Sequence, residues 1–372
     1  MKHLVPPAAG KVHRLVFLDG IRGWAALIVV LSHIMFQFLG KTNEVYNHLT
    51  LSFFVNGSFA VYVFFVLSGF ALTIKFIEKP GYYSVAQAAC SRYFRLSIPI
   101  FVVSVLAYLL LKFGLFFNKE AAIPAKSIDW LGWQYNFEAT IRSLFEFSFY
   151  KVFFKYDELT GYNSSLWTMP IEWIGSILMY FIIAVFISEK DKKVYWLPIF
   201  LIGLYFFRFN PPLLSFVLGY FLAELYHRYR DNDNRLINIA ATGLFFLPVL
   251  IIALDAPKRG RYTALLAMIL VGSVMFSKPL KKIFSSRLSE FMGQISFPLY
   301  LIHILVICSF SSYLFLVLPE QGYSHLMMSN IILGSTVTLS ILLAWMLLPV
   351  ERFSVFAARS IATKALKLTA KR

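Results

Sequence analysis

The sequence predicts an all-α, polytopic membrane protein with about ten transmembrane helices in one bundle. Two observations carry this prediction. Hydrophobic residues make up 59% of the chain and charged residues only 15%, which is too few to coat a water-soluble globule. Apolar runs of helix length recur along the 372 residues, and each crossing of a bilayer needs about 20 apolar residues.

Ten apolar runs of the sequence define the predicted spans. Helix-length windows place them at 23–39, 51–77, 96–117, 164–187, 194–208, 211–227, 236–254, 262–277, 294–318 and 329–350. Asn210, Pro211 and Pro212 separate the fifth span from the sixth, and this sequence cannot continue a helix. We expect these two spans to form a tight hairpin or a pair of half-spans.

Lysine and arginine are concentrated in alternate loops, which predicts the orientation. Most basic residues fall on the inner side if the N-terminus is cytoplasmic, as the positive-inside rule requires. This arrangement puts both termini in the cytoplasm and ends the chain in a basic tail, residues 359–372, that suits an anionic inner leaflet. The net charge of +16 is therefore assigned to contact with membrane lipid, and no nucleic-acid partner is expected.

The sequence shows no internal repeat or long polar linker, so residues 1–358 are expected to form one membrane domain. The expected location is the inner or plasma membrane. No small-residue cleavage site follows the first apolar stretch, which we expect to be retained. A longer extracytoplasmic segment, residues 118–163, is rich in aromatic residues. It forms either an interfacial aromatic belt or a lid and platform for a ligand such as a sugar ring. Cys90 and Cys308 show no metal-binding or redox spacing, and no metal is expected.

The first predicted helix carries a stripe of ionisable side chains. In DGIRGWAALIVVLSH, Arg22 and His33 are eleven positions apart, so they share a helix face to within about 20° and lie about 16.5 Å apart along the axis. Asp19 lies one turn before Arg22, where an ion pair can form. An inner-leaflet anchor would explain Arg22 alone, and a helix-to-helix hydrogen bond is the alternative for His33. An ionisable side chain as deep as His33 otherwise indicates function.

A second polar position is Glu172, the only acid in the fourth predicted span, within SSLWTMPIEW. Counted from the outer end of that span, Glu172 lies about 12 Å below the surface. His33, about 16.5 Å above Arg22 in a hydrocarbon core of about 30 Å, lies at a similar depth. A carboxylate and an imidazole at one depth can act as a base and its orienting partner. We therefore predict His33 as a catalytic base and Glu172 as its partner.

Further polar residues cluster toward the inner side. In FFVLSGF, Ser68 and Gly69 combine a hydroxyl with a position that lacks a side chain, so a thin ligand or another helix can approach closely. In SRYFRLSIP, Arg92 and Arg95 lie one turn apart. Guanidinium groups set in this way suit phosphate groups, and membrane anchoring is the alternative.

These motifs, in this order and spacing, resemble those of the acyltransferase-3 family of integral membrane acyltransferases. The resemblance runs from LDGIRGWAALIVVLSH through FFVLSGF, RYFRLSIP and LWTMPIEW to ISFPLYLIH and covers nearly the whole chain. Family members are similar in an Arg-x10-His pattern on the first helix, here Arg22 and His33. They are also similar in paired arginines on the third helix, here Arg92 and Arg95, and in ten core spans.

The resemblance implies transfer of an acyl group, most often acetyl, from cytoplasmic acyl-CoA to a hydroxyl of an extracytoplasmic saccharide, glycolipid or related acceptor. It implies that His33 deprotonates that hydroxyl and that the arginines hold the phosphates of the coenzyme. The residues assigned to the donor site are Asp19, Arg22, Ser68, Arg92 and Arg95, and those assigned to the acceptor substrate are Tyr300 and His303. The alternative function is a transporter or flippase of a lipid-linked saccharide, because intramembrane charges also line transport paths.

Overall fold

A computed structural model gives the architecture of the chain. The structure describes residues 14–47, 52–78, 81–186, 193–254 and 260–369. Within these ranges the chain is helical and contains no strand. The all-α prediction is confirmed, and the apolar helices agree with a polytopic membrane protein.

Seventeen α-helices make up most of the described chain. Those of the first half are α1 (Val16–Leu31), α2 (Gly57–Glu78), α3 (Tyr82–Lys112), α4 (Asn118–Ala122), α5 (Ile141–Glu146), α6 (Val152–Phe154) and α7 (Met169–Phe186). Those of the second half are α8 (Lys193–Phe209), α9 (Pro211–Tyr229), α10 (Arg235–Leu244), α11 (Phe246–Leu254), α12 (Arg261–Phe276), α13 (Lys278–Phe284), α14 (Arg287–Val306), α15 (Ser312–Val317), α16 (His325–Met346) and α17 (Leu348–Thr369).

Each predicted span falls largely on helical residues, although α10 and α11 divide the span 236–254 between them. Some helices begin well before the predicted start. The first begins at Val16, so Asp19 lies inside α1, and the third begins at Tyr82, so Arg92 and Arg95 lie inside α3. Hydropathy windows exclude such polar turns because they assume lipid on every side. A helix that lines a polar cavity can carry charged side chains and remain helical.

The number of membrane crossings is not fixed by these helices. Among the described residues, seven helical runs are long and apolar enough to cross a membrane, and the bent pair of α12 and α13 adds an eighth if it counts as one span. Ten crossings therefore stays a prediction. The hairpin between α8 and α9 turns at Asn210, whose side chain accepts a hydrogen bond from the Leu213 amide, 3.2 Å, and caps α9.

The last helical run extends far beyond a membrane thickness. It covers 44 residues, His325–Leu368, which is about 66 Å or about twice the hydrocarbon core. The second half, α17, packs along α3: Ala362 is buried, and Gln87 Nε2 donates to Thr363 Oγ1, 2.7 Å. Residues 359–369, predicted as a basic tail, are thus the end of α17, and residues 370–372 lie outside the described chain.

Two helix pairs approach closely because glycines face each other's backbone. A Cβ added at Gly69 of α2 would lie 2.7 Å from the Phe216 Cα of α9, and one added at Gly219 of α9 would lie 2.6 Å from the Phe70 nitrogen. Gly23 of α1 and Gly293 of α14 meet in the same way. Small residues are the usual means by which membrane helices come this close.

The glycine contact between α2 and α9 predicts a large effect of one methyl group. Gly69→Ala should destabilise the protein by about 1–3 kcal/mol, because the neighbouring backbone cannot move aside. The matched control is Gly334→Ala in α16, where an added Cβ meets nothing within 4 Å. Thermal unfolding in detergent, measured as the loss of the monodisperse species with rising temperature, should show a lower midpoint for Gly69→Ala only. Equal midpoints would contradict the packing described here.

Candidate active site

A cavity of about 830 Å³ lies between α1, α2, α3, α7, α14 and α17. Its size is that of pockets that bind cofactors and small ligands. Its charged wall consists of five arginines and three acids: Arg14, Arg22, Arg92, Arg95, Arg352, Asp19, Glu172 and Glu351. Its apolar wall includes Val61, Phe64, Phe65, Leu96, Met169 and Phe297.

The first charged group is built on the start of α1. Asp19 accepts from Arg14 Nε, 2.7 Å, and forms an ion pair with Arg22 Nη1, 3.5 Å. Arg14 also reaches Glu290, 3.4 Å. The carboxylate of Asp19 therefore orients two guanidinium groups toward the cavity, as its position one turn before Arg22 predicts.

The second charged group joins α3 to α7. Glu172 is ion-paired with Arg92 Nη2 and accepts from Ser68 Oγ, 2.8 Å. Arg92 Nε also donates to Ser176 Oγ, 3.1 Å. The side chains of Arg92 and Glu172 are only 13% and 10% exposed. A buried ion pair of this kind is stable only when further hydrogen bonds satisfy it, and Ser68 and Ser176 supply them.

A third group brings α17 into the site. Arg95 is exposed to the cavity and lies within electrostatic reach of Arg92, Arg22 and Glu351. Glu351 and Arg352 stand at the start of α17, and both line the cavity. Because the arginines outnumber the acids, the charged wall is suited to an anionic ligand.

The apolar wall leads from the arginines toward Tyr300. Gly293 of α14 packs against the backbone of Asp19, and Tyr300 lies seven residues further along α14, about 10.5 Å. The Tyr300 hydroxyl lies 2.8 Å from Thr168 Oγ1 and donates to the Ser165 carbonyl. Its ring contacts that of Phe64, with centroids 6.1 Å apart. Tyr300 thus stands at the end of the cavity away from Arg22.

Two histidines meet one helical turn beyond Tyr300. Nδ1 of His33 lies 2.9 Å from Nε2 of His303, with the two rings tilted by only 17°. His303 is fully buried, and its Nδ1 lies 3.2 Å from the Leu299 carbonyl. His33 lies at the start of a π-helical stretch, Ser32–Phe38, that continues α1. Such stretches are frequent at functional sites.

The aromatic segment between α3 and α7 folds over the histidines. Trp130 stacks on the ring of His33, with centroids 5.3 Å apart and an interplanar angle of 12°. Ser127 Oγ donates to the Gln37 carbonyl, 2.7 Å, and the Phe117 amide donates to the Cys308 carbonyl, 3.0 Å. The Gln37 carbonyl belongs to the π-helical stretch that contains His33, and the Cys308 carbonyl belongs to the stretch that follows His303. The segment is therefore attached to both helices that carry the histidines.

The structure brings the predicted donor residues together and gives Glu172 and His33 different hydrogen-bond partners. Asp19, Arg22, Ser68, Arg92 and Arg95 all line one cavity. Glu172, predicted as the partner of His33, is held by Arg92 and Ser68. His33 hydrogen bonds with His303, a residue that the sequence assigns to the acceptor substrate.

Sequence reasoning missed several residues that complete the site. They are Trp130, Ser176, Glu351 and Arg352. Glu351 and Arg352 follow the last apolar run, where basic and acidic residues ordinarily indicate a solvated helix end. Trp130 belongs to the segment for which a lid was one of two alternatives, and its contact with His33 was not predictable from spacing. In the part of the chain that the structure describes, no group of three or more His, Cys, Asp or Glu is arranged as a metal site.

Comparison with known proteins identifies the family of the chain. A family model described as an acyltransferase domain matches residues 15–348. The O-acetyltransferase PaAT-1 of Phomopsis amygdali is 22% identical, and the match covers 78% of this chain and 72% of that protein. No solved structure gives a significant match. The chain therefore belongs to the acyltransferase-3 family and is a membrane O-acyltransferase.

Proposed function

We propose that this enzyme transfers an acyl group, acetyl being the expected one, from cytoplasmic acyl-CoA to a hydroxyl of an extracytoplasmic or lipid-linked saccharide or related acceptor. The observation that carries the proposal is one cavity whose arginine-rich wall continues to Tyr300, one turn from the His33 and His303 pair. The name of the relative PaAT-1 supports an acetyl donor and an oxygen acceptor. The basic residues of the inner segments support cytoplasmic termini. The inner or plasma membrane is the location that fits a cytoplasmic donor and an extracytoplasmic acceptor.

The arginines provide the site for the phosphates of the coenzyme. Arg22, Arg92 and Arg95 converge from α1 and α3 on the same wall, and guanidinium groups bind phosphate through paired hydrogen bonds. Asp19 and Glu172 repel a phosphate, so their part is to hold Arg22 and Arg92 in place. In this assignment Glu172 supports donor binding rather than the base.

The apolar wall provides the path for the arm that carries the thioester. Arg22 and His33 lie about 16.5 Å apart along α1, a separation comparable to the length of the pantetheine arm. Phe64, Phe297 and Tyr300 line the end of the cavity at which this arm would finish. Their surface excludes water from the thioester and favours transfer to the acceptor over hydrolysis.

The chemistry proposed at this end is a direct transfer with His33 as general base. Nε2 of His33 takes the proton of the acceptor hydroxyl while the hydroxyl oxygen attacks the thioester carbonyl carbon. The carbon–sulfur bond breaks, the acyl group stays on the acceptor oxygen, and the departing thiolate takes the proton from His33. Each cycle yields an ester and free CoA and leaves His33 neutral.

The segment that folds over the histidines provides the approach for the acceptor. Trp130 presents its ring beside His33, and aromatic faces stack on sugar rings. The same segment also exposes the aromatic side chains of Phe145, Tyr150 and Phe154. Of the two alternatives that the sequence leaves for residues 118–163, we therefore adopt the acceptor platform.

The direct test is release of free thiol from acetyl-CoA by the purified protein in nanodiscs with candidate glycan acceptors. His33→Ala should lower the acceptor-dependent rate by about 10²- to 10⁴-fold, the usual contribution of a positioned base. Donor binding should be retained because His33 does not line the phosphate wall. The control is His325→Ala at the exposed start of α16. Unchanged activity in His33→Ala would exclude the mechanism.

The revised assignment of Glu172 makes a separate prediction. Glu172→Gln removes the charged partner of Arg92, so the KM for acetyl-CoA should rise several-fold while kcat changes little. Combined with Arg92→Ala, it should add nothing further, because the two residues act through one contact. Initial rates against donor concentration measure both constants, with the exposed Glu320→Gln as control. A fall in kcat at constant KM would contradict this assignment and support Glu172 as the partner of the base, His33.

A further inference from the structure

The two histidines are arranged so that their protons can be assigned from their partners. A backbone carbonyl can only accept, so the Leu299 carbonyl requires a proton on Nδ1 of His303. His303 has no exposed surface, and a charged ring at such a position in a membrane is costly. The neutral ring then carries its lone pair on Nε2, the atom that lies 2.9 Å from Nδ1 of His33.

This assignment determines the tautomer of the catalytic base. Because Nε2 of His303 accepts, Nδ1 of His33 must be the donor of the hydrogen bond between them. The neutral His33 ring therefore carries its lone pair on Nε2. That nitrogen is the atom to which the proposed reaction delivers the proton of the acceptor.

We propose that His303 is a positioning residue that fixes the tautomer and ring orientation of His33, with the Leu299 carbonyl fixing His303 in turn. The inference rests on the proposed function, which assigns His33 as the base. It adds a relay of two hydrogen bonds, from the His33 ring to the His303 ring and from the His303 ring to the Leu299 carbonyl. In this relay a neutral histidine takes the place that a carboxylate has in hydrolase triads.

The surrounding structure holds this relay rigidly. Tyr300, one turn before His303, is fixed through its hydroxyl by Thr168 and Ser165. Trp130 covers the His33 ring from the extracytoplasmic segment. The nearly coplanar rings of the two histidines keep the hydrogen bond in line. When Nε2 of His33 takes the proton, the positive ring gives a stronger hydrogen bond to His303, so the relay favours the charged intermediate.

Three substitutions of His303 separate positioning from packing. The Gln side chain places its oxygen at the same distance from the backbone as Nε2 of His303, so His303→Gln keeps an acceptor for His33. The Asn side chain is polar but one carbon shorter, and the Leu side chain has similar bulk but no acceptor. His303→Leu and His303→Asn should lower kcat at least about tenfold and leave the KM for acetyl-CoA unchanged. His303→Gln should recover most of kcat.

The outcomes are distinct. A graded series with rescue by Gln alone supports the relay. Wild-type kcat in His303→Leu overturns it, as does an equal loss of kcat in all three variants. A loss of donor binding in parallel with kcat also overturns it, since that result indicates a packing role. None of these results affects the proposed function, which fails instead if the wild-type protein releases no acceptor-dependent thiol from acetyl-CoA.

Discussion

Several guanidinium groups lie inside a bundle of apolar helices, and their charge has to be balanced there. A charged side chain within a membrane protein is stable only when it faces a polar interior and has a partner. Asp19 holds Arg14 and Arg22, and Glu172 holds Arg92. The Arg92–Glu172 contact ties α3 to α7, and Arg14, just before α1, reaches Glu290 of α14. Arg14, Arg92 and Glu172 all line one cavity. The cavity keeps a surplus of positive charge, because its arginines outnumber its acids, and this surplus suits the anionic donor that we propose.

The histidine pair depends on the same framework from the other side. Gly23 and Gly293 bring α1 and α14 into backbone contact, and this contact sets the relative height of the two helices. With that height fixed, His33 and His303 meet about 15 Å further along both helices. One pair of helices thus sets both the distance from Arg22 to the proposed base, His33, and the hydrogen-bond partner of that base. The two proposed tasks, anion binding and proton transfer, remain spatially separate.

Helical periodicity predicted the features that depend on a single helix, and failed where two helices had to be placed together. The shared face of Arg22 and His33 follows from their spacing alone, and so does the proximity of Asp19 to Arg22. The partner of Glu172 depended on which helices pack against α7. A depth estimated from span edges is uncertain by a helical turn. An error of that size is enough to predict His33 rather than Arg92 as the residue beside Glu172. The π-helical stretch at His33 and the contact with Trp130 require the folded structure, because no local pattern specifies them.

We propose that one cavity holds the phosphates of the donor at the arginines and its thioester beside the histidine pair. The decisive measurement is a cryo-electron microscopy structure with an unreactive thioether analogue of acetyl-CoA. Phosphate density is expected against Arg22, Arg92 and Arg95, with the acyl carbonyl beside Tyr300 and within reach of Nε2 of His33. Phosphates bound away from these arginines, or an acyl group directed away from His33, would exclude this arrangement.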